Sequence, residues 1–194
     1  MDTLPRETWA TTDLRWRLEH AQIIPPEDQQ RLVDMRVIPS MQPSHAIGDL
    51  NFAPARLGAD RLRYAYPWQP LIDLGLPILA GSDAPVEAGD PRIEFYAAIT
   101  RSRLDGTSGE GWHPEYAVSR ADALRMFTLW PAYGAFQEQH RGSIEVGKLA
   151  DLTVFDTDFM NAAPADILRA QTIMTVVGGR VTYAAPAVSD TSMP

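Results

Sequence analysis

Three segments hold the side chains whose types could do chemistry: Glu19-His20-Ala21-Gln22, Gln42-Pro43-Ser44-His45 and Ala80-Gly81-Ser82-Asp83. A neutral imidazole at His20 can bind a divalent metal. A carboxylate at Asp83, next to a glycine and a serine that permit close backbone approach, can ligate a metal or act as a general base. His45 falls in a loop and is the weaker signal. Each has a plainer reading beside it: His20 as a hydrogen-bonded core histidine, Asp83 as a turn aspartate capping its own backbone. His113 and His140 read as surface or lid residues. The chain has no cysteine, so a metal must be held by nitrogen and oxygen, and no thiolate nucleophile or disulfide is possible.

These residues matter because of the elements that precede them. Leu14 to His20 alternates apolar and polar residues, the period of a strand. Pro25-Pro26-Glu27-Asp28 reads as a helix start that would carry Leu32, Val33 and Met35 inward. Val37 to Met41 is a short apolar run with a proline, taken as a strand. Gln42 to Tyr66 reads as a long polar stretch, Gln69 to Leu74 as a helix stopped by Gly75, and Leu76 to Gly81 as a buried strand. Strand–helix–strand–helix–strand is the grammar of a parallel sheet, where ligands gather at the C-terminal strand ends. His20, the Gln42/His45 segment and Asp83 all fall there.

Downstream, Ile93 to Arg103 reads as a helix, followed by a glycine-rich loop from Asp105 to Trp112. Ser119-Arg120-Ala121-Asp122 opens another helix, through Leu129, and Pro131 a short further one. From Gly142 the texture becomes β-rich, with Gly178-Gly179 as a hairpin signal before Arg180 to Tyr183. The expected division is an α/β portion over 1–141, a small β segment over 142–185 and a disordered tail over 186–194.

Composition narrows the classes. The chain has 194 residues, 45% hydrophobic and 22% charged, as in a soluble globular protein. Its net charge of −8 disfavours nucleic acid and anionic membranes as partners. No apolar run is long enough to span a bilayer, and the first residues lack a signal-peptide core, so a cytoplasmic location is expected. Phosphate-binding loops, G-x-G-x-x-G, H-E-x-x-H and G-x-S-x-G are absent. Trp9, Trp16, Trp68, Trp112 and Trp130 show no spacing for base stacking and read as core or pocket walls.

Four ordered strings then make a resemblance: Arg17-Leu18-Glu19-His20-Ala21-Gln22, Ile38-Pro39-Ser40-Met41-Gln42-Pro43-Ser44-His45, Ala80-Gly81-Ser82-Asp83-Ala84-Pro85-Val86-Glu87, and Arg141-Gly142-Ser143-Ile144-Glu145-Val146-Gly147-Lys148-Leu149-Ala150-Asp151-Leu152. From about residue 14 to 184 the chain resembles the amidohydrolase superfamily, in the family 3 branch of N-substituted formamide deformylases, near D-aminoacylases. The resemblance implies the C-terminal part of a metal-dependent (β/α)8 barrel, strands six to eight, followed by strands of a small β-sandwich. It makes His20 the metal-ligand histidine of strand six. Asp83 becomes the strand-eight aspartate that binds metal or the attacking water, and so both metal ligand and catalytic residue. His45 and Gln42 would contact substrate. The implied reaction is hydrolysis of a C–N amide-type bond in a small molecule, with a divalent metal, zinc by the family's pattern, activating water.

The chain departs from that pattern in one respect that decides the expectation for it. It contains no H-x-H, and it offers two ligands where zinc needs about three from protein. Strands six to eight alone would also leave apolar faces and strand edges open. The expectation is therefore a C-terminal fragment with little independent turnover, forming a homo-oligomer or associating with a missing N-terminal portion. The rival is a non-catalytic truncated module that oligomerises or complements a separate N-terminal piece. A third reading is a small-molecule-binding α/β domain with residues 105–116 as a lid.

Overall fold

The structure is a computed structural model that describes residues 12–106 and 112–186. Strand β1 (Arg17–Glu19), helix α1 (Pro26–Met35) and strand β2 (Ile38–Met41) come first. Helices α2 (Pro43–Asp49), α3 (Ala53–Leu57), α4 (Ala59–Leu62) and α5 (Trp68–Asp73) lead to strand β3 (Leu79–Ala80). The strands form a parallel sheet in the order β1-β2-β3, with Glu19 opposite Ser40 and Met41 opposite Ala80. The expected strand–helix–strand grammar is present. The strands are shorter than the apolar runs that announced them, and Leu76 to Ile78 approach the sheet without pairing.

The long polar stretch from Gln42 to Tyr66, to which the sequence pattern assigns no element, folds into three short helices. Pro43 and Pro54 occupy first-turn positions, where their missing N–H costs nothing, and Gly58 separates α3 from α4 with φ of +73°. Helix α1 behaves as read: Leu32 is buried, Val33 and Met35 pack partly against the core, and Arg36 closes it in a left-handed conformation.

Helix α6 (Pro91–Thr100) begins two residues before the expected start, because Asp90 caps it by accepting from the Arg92 amide at 2.9 Å. A 3-10 turn (Pro114–Tyr116) precedes helix α7 (Arg120–Phe127), whose Ser119 cap accepts from the Asp122 amide at 3.0 Å. Helix α8 (Leu129–Gly134) lies so close to β3 that a Cβ on Gly134 would stand 2.3 Å from Leu79 Cδ2. The core gathers Trp68, Leu71, Ile78 and Met126, all fully buried, around β2.

Strands β4 (Leu152–Phe155), β5 (Thr172–Val177) and β6 (Arg180–Ala184) form a separate antiparallel sheet in that order. Gly178 and Gly179, both at positive φ, turn the β5–β6 hairpin. Between β4 and β5, helix α9 (Pro164–Arg169) returns to the first part of the chain, where Ile167 is fully buried in the common core. Phe159 stacks on Phe155 and meets Phe95 of α6 at 5.4 Å. Arg92 and Arg120 reach across to the carbonyls of Ala170 and of Phe159 and Ala162. Apart from residues 105–106, 112–116 and 186, the glycine-rich loop, the lid segment and the tail lie outside the described residues, as does Trp9. Among the described residues no helix is long and apolar enough to cross a membrane.

Candidate functional site

The site begins where β1 ends. Glu19 accepts from the Ala21 amide at 2.9 Å, and His20 and Ala21 both take positive φ, +66° and +45°. Two successive left-handed residues turn the chain sharply off the strand, which is uncommon without glycine. The turn leaves His20 at the exposed strand end and returns Ala21 to the core. The following loop is pinned by the Gln22 carbonyl, which accepts from the Tyr66 amide at 2.7 Å, and by the Ile24 amide, which donates to Tyr64 at 3.1 Å.

At the end of β2, Gln42 leads into α2, and its buried side chain turns toward His20: Oε1 lies 3.0 Å from His20 Nδ1. His45, one turn on, stacks its ring over His20 with centroids 6.0 Å apart and planes 24° apart. Neither nitrogen of the His45 ring has a hydrogen-bond partner, although both are buried. The nearest charge is the Glu87 carboxylate, with Oε1 3.8 Å from Nε2, beyond hydrogen-bond reach.

At the end of β3, the Gly81 amide continues the ladder to Met41 at 3.2 Å, and Asp83 then turns out at φ of +55°, exposed. Its carbonyl accepts from the Val86 amide at 2.8 Å, closing the turn that carries Glu87 back toward His45. His20, Gln42, His45 and Asp83 thus stand at the C-terminal ends of three paired parallel strands, and the first three are in mutual contact. His113 and His140 lie elsewhere: His113 approaches the Leu62 carbonyl at 2.9 Å and Glu115 at 3.0 Å, bracing α4 against the 3-10 turn.

Several supporting groups were not singled out from sequence. The Tyr66 hydroxyl accepts from Gln22 Nε2 at 2.7 Å and donates to Asp49 at 2.5 Å. Burial and that carboxylate push the phenol well above its ordinary range, so it stays a donor. Glu94, almost fully buried on α6, accepts from the Ser44 amide at 2.9 Å, and burial raises its pKa. Arg101, fully buried, donates to the carbonyls of Ala65, Tyr66 and Trp112, with Trp68 against its guanidinium at 4.4 Å. Burial lowers its pKa to about 9. The one available signal was for Glu87, four residues after Asp83 in the same string. The tyrosine and arginine contacts depend on tertiary packing.

A cleft of 220 Å³ beside the site is lined by Ser44, Ile47, Gly48, Glu87, Ile93 and Leu104. A larger one of 380 Å³ lies at the opposite end of the strands, around Leu14, Trp16, Leu76 and Pro77. Chemistry rather than volume marks the candidate site, because the larger cleft is lined by none of His20, Gln42, His45 and Asp83. Among the described residues, no group of three or more His, Asp or Glu is placed to hold a metal ion. His20 and Asp83 suit such an ion in kind, as nitrogen and oxygen donors, and fall short in number.

Residues 2–183 match the family described as "Amidohydrolase family". The chain belongs to that family. It is 30% identical over 183 residues to the N-substituted formamide deformylase of Arthrobacter pascens, covering 94% of this chain and 33% of that protein. Among solved structures, an uncharacterized metal-dependent hydrolase from Pyrococcus horikoshii superposes with a TM-score of 0.69 at 24% identity, over 81% of this chain and 32% of that one. The atrazine chlorohydrolase TrzN of Arthrobacter aurescens, solved with zinc, matches with a TM-score of 0.61 at 20% identity, over 90% and 38%. The two structural likenesses establish an α/β part of the amidohydrolase fold. This amidohydrolase chain spans about a third of the length of the curated relatives it matches.

Proposed function

We propose that these residues supply strands six to eight of a metal-dependent (β/α)8 amidohydrolase barrel, over 1–141, and part of its small β-sandwich, over 142–185. The observation that carries this reading is the meeting of His20, Gln42 and His45 at the ends of β1 and β2, with Asp83 at the end of β3. Family membership and the zinc-bound neighbour support it.

The activity is hydrolysis of an amide-type C–N bond in a small molecule. His20 and Asp83 are this chain's share of the ligands to a divalent metal, for which zinc is the proposal. Bound there, such a metal would polarise the carbonyl and lower the pKa of the attacking water. Asp83, solvent-accessible on its turn, takes the water's proton as general base and delivers it to the leaving nitrogen. His45, held beside His20 with both ring nitrogens unpartnered, contacts the substrate. The described residues hold no third ligand beside His20 and Asp83, and in this reading further ligands come through association with another polypeptide segment or a second copy.

The test is hydrolysis of N-substituted formamides and other small amides with added zinc. It compares the 194-residue chain with a deformylase in which the matching third has been replaced by this chain. The replaced enzyme is expected to turn over, and His20→Ala or Asp83→Asn to abolish it, while the chain alone is silent. Turnover that survives both substitutions would overturn the assignment.

A further inference from the structure

We infer that Gln42 is a positioning residue, which holds neutral His20 as the tautomer protonated on Nδ1 and so leaves the Nε2 lone pair as the ring's free donor. The role in a metal site rests on the function proposed above, whereas the tautomer does not.

An amide oxygen can only accept, so the 3.0 Å contact between Gln42 Oε1 and His20 Nδ1 requires the ring proton to sit on Nδ1. The contact is built in by the backbone. Glu19 pairs with Ser40 in the last rung between β1 and β2, so His20 and Gln42 leave neighbouring strands side by side. Gln42 is only 7% exposed, and Pro43 at the first position of α2 sets where that helix starts. His45 covers His20 by stacking and offers it no hydrogen bond, because both of its own nitrogens are unpartnered. A free imidazole in water prefers the opposite tautomer, with the proton on Nε2, which would present no lone pair there. The hydrogen bond at one ring nitrogen decides which nitrogen remains for a ligand. Gln42 therefore acts through the imidazole, a role besides the substrate contact that the family resemblance implies for it.

The tautomer is read directly by long-range proton–nitrogen correlation NMR on the ¹⁵N-labelled 194-residue chain, at about pH 8 where an ordinary histidine is neutral. His20→Ala identifies the signal. The wild-type ring is expected to show the Nδ1–H pattern. Gln42→Leu, and Gln42→Met as a second variant of similar length, are expected to move it toward Nε2–H with the β5–β6 hairpin resonances unchanged. An Nε2–H pattern in the wild type, or an Nδ1–H pattern that persists in both folded variants, overturns the inference. Zinc retained by the deformylase carrying these residues separates the two readings. A Gln42-dependent tautomer in the chain, with zinc retention in that enzyme indifferent to His20→Ala, sinks the metal reading alone. Retention that His20→Ala removes, with a tautomer indifferent to Gln42, sinks this inference alone.

Discussion

The covered flank of the parallel sheet and its free flank are built from the same kinds of residue and end up in opposite environments. On the covered side, Ile78, Trp68, Leu71 and Met126 are fully buried under α5 and α7. On the free side all three residues of β1 are exposed, Leu18 to 41%, and Arg17 and Glu19 pair with each other at 2.9 Å. The antiparallel sheet repeats the contrast, with α9 seated in the core while Val177 and Val181 are 58% and 59% exposed. The difference separates what this chain completes by itself from what it presents. Among the described residues it closes its own helical layer and leaves the β1 edge and an apolar face of the antiparallel sheet exposed.

The contrast predicts where substitutions hurt. Arg101→Ala should be the most damaging, because it takes the guanidinium donors away from the buried carbonyls of Ala65 and Trp112 and one of two donors from that of Tyr66, and empties the space beside Trp68. A loss of about 3–5 kcal/mol in chemical denaturation is expected. Gly134→Leu forces a side chain into the space occupied by Leu79 and should cost about 1–3 kcal/mol, measured in the same way. Asp90→Ala removes the α6 cap and should cost about 1 kcal/mol near neutral pH.

That cap also carries a pH signature. Arg92 holds the Asp90 carboxyl below the usual aspartate range. A lowered folded-state pKa stabilises above the unfolded value and is lost as pH falls through the folded one. The gap between wild type and Asp90→Ala should therefore close in acid. Glu94, raised by burial, has the opposite sign, so its contribution is present in acid and lost as pH rises through its folded pKa. Glu94→Gln should raise the Tm at pH 7 and not at pH 4. On the open face, Val181→Thr should change stability by less than about 0.5 kcal/mol and instead reduce self-association in sedimentation velocity.

Sequence and structure diverge along this same line. The strands and the residues at their ends were legible because period-two alternation and proline punctuation survive in short strands, and because strand ends collect chemistry in parallel sheets. The helices α2, α3 and α4, of seven, five and four residues, were not. They are too short for helical periodicity, and their proline and glycine starts read as loop. Helix α9, six residues between two strands, was missed for the same reason. His20, Gln42 and His45 came together as their strand positions implied. The link from Gln22 through Tyr66 to Asp49 joins residues up to 44 apart and carries no local pattern.

The central claim is that His20 and Asp83 are this chain's part of a metal site completed from outside it. Zinc retained per chain after loading and exhaustive dialysis tests it most directly, measured on the 194-residue chain alone and on the same residues placed in the deformylase. The account predicts well under one zinc for the chain alone, and retention in the full barrel that His20→Ala removes. One tightly held zinc in the chain alone, or retention in the barrel indifferent to His20 and Asp83, would contradict it.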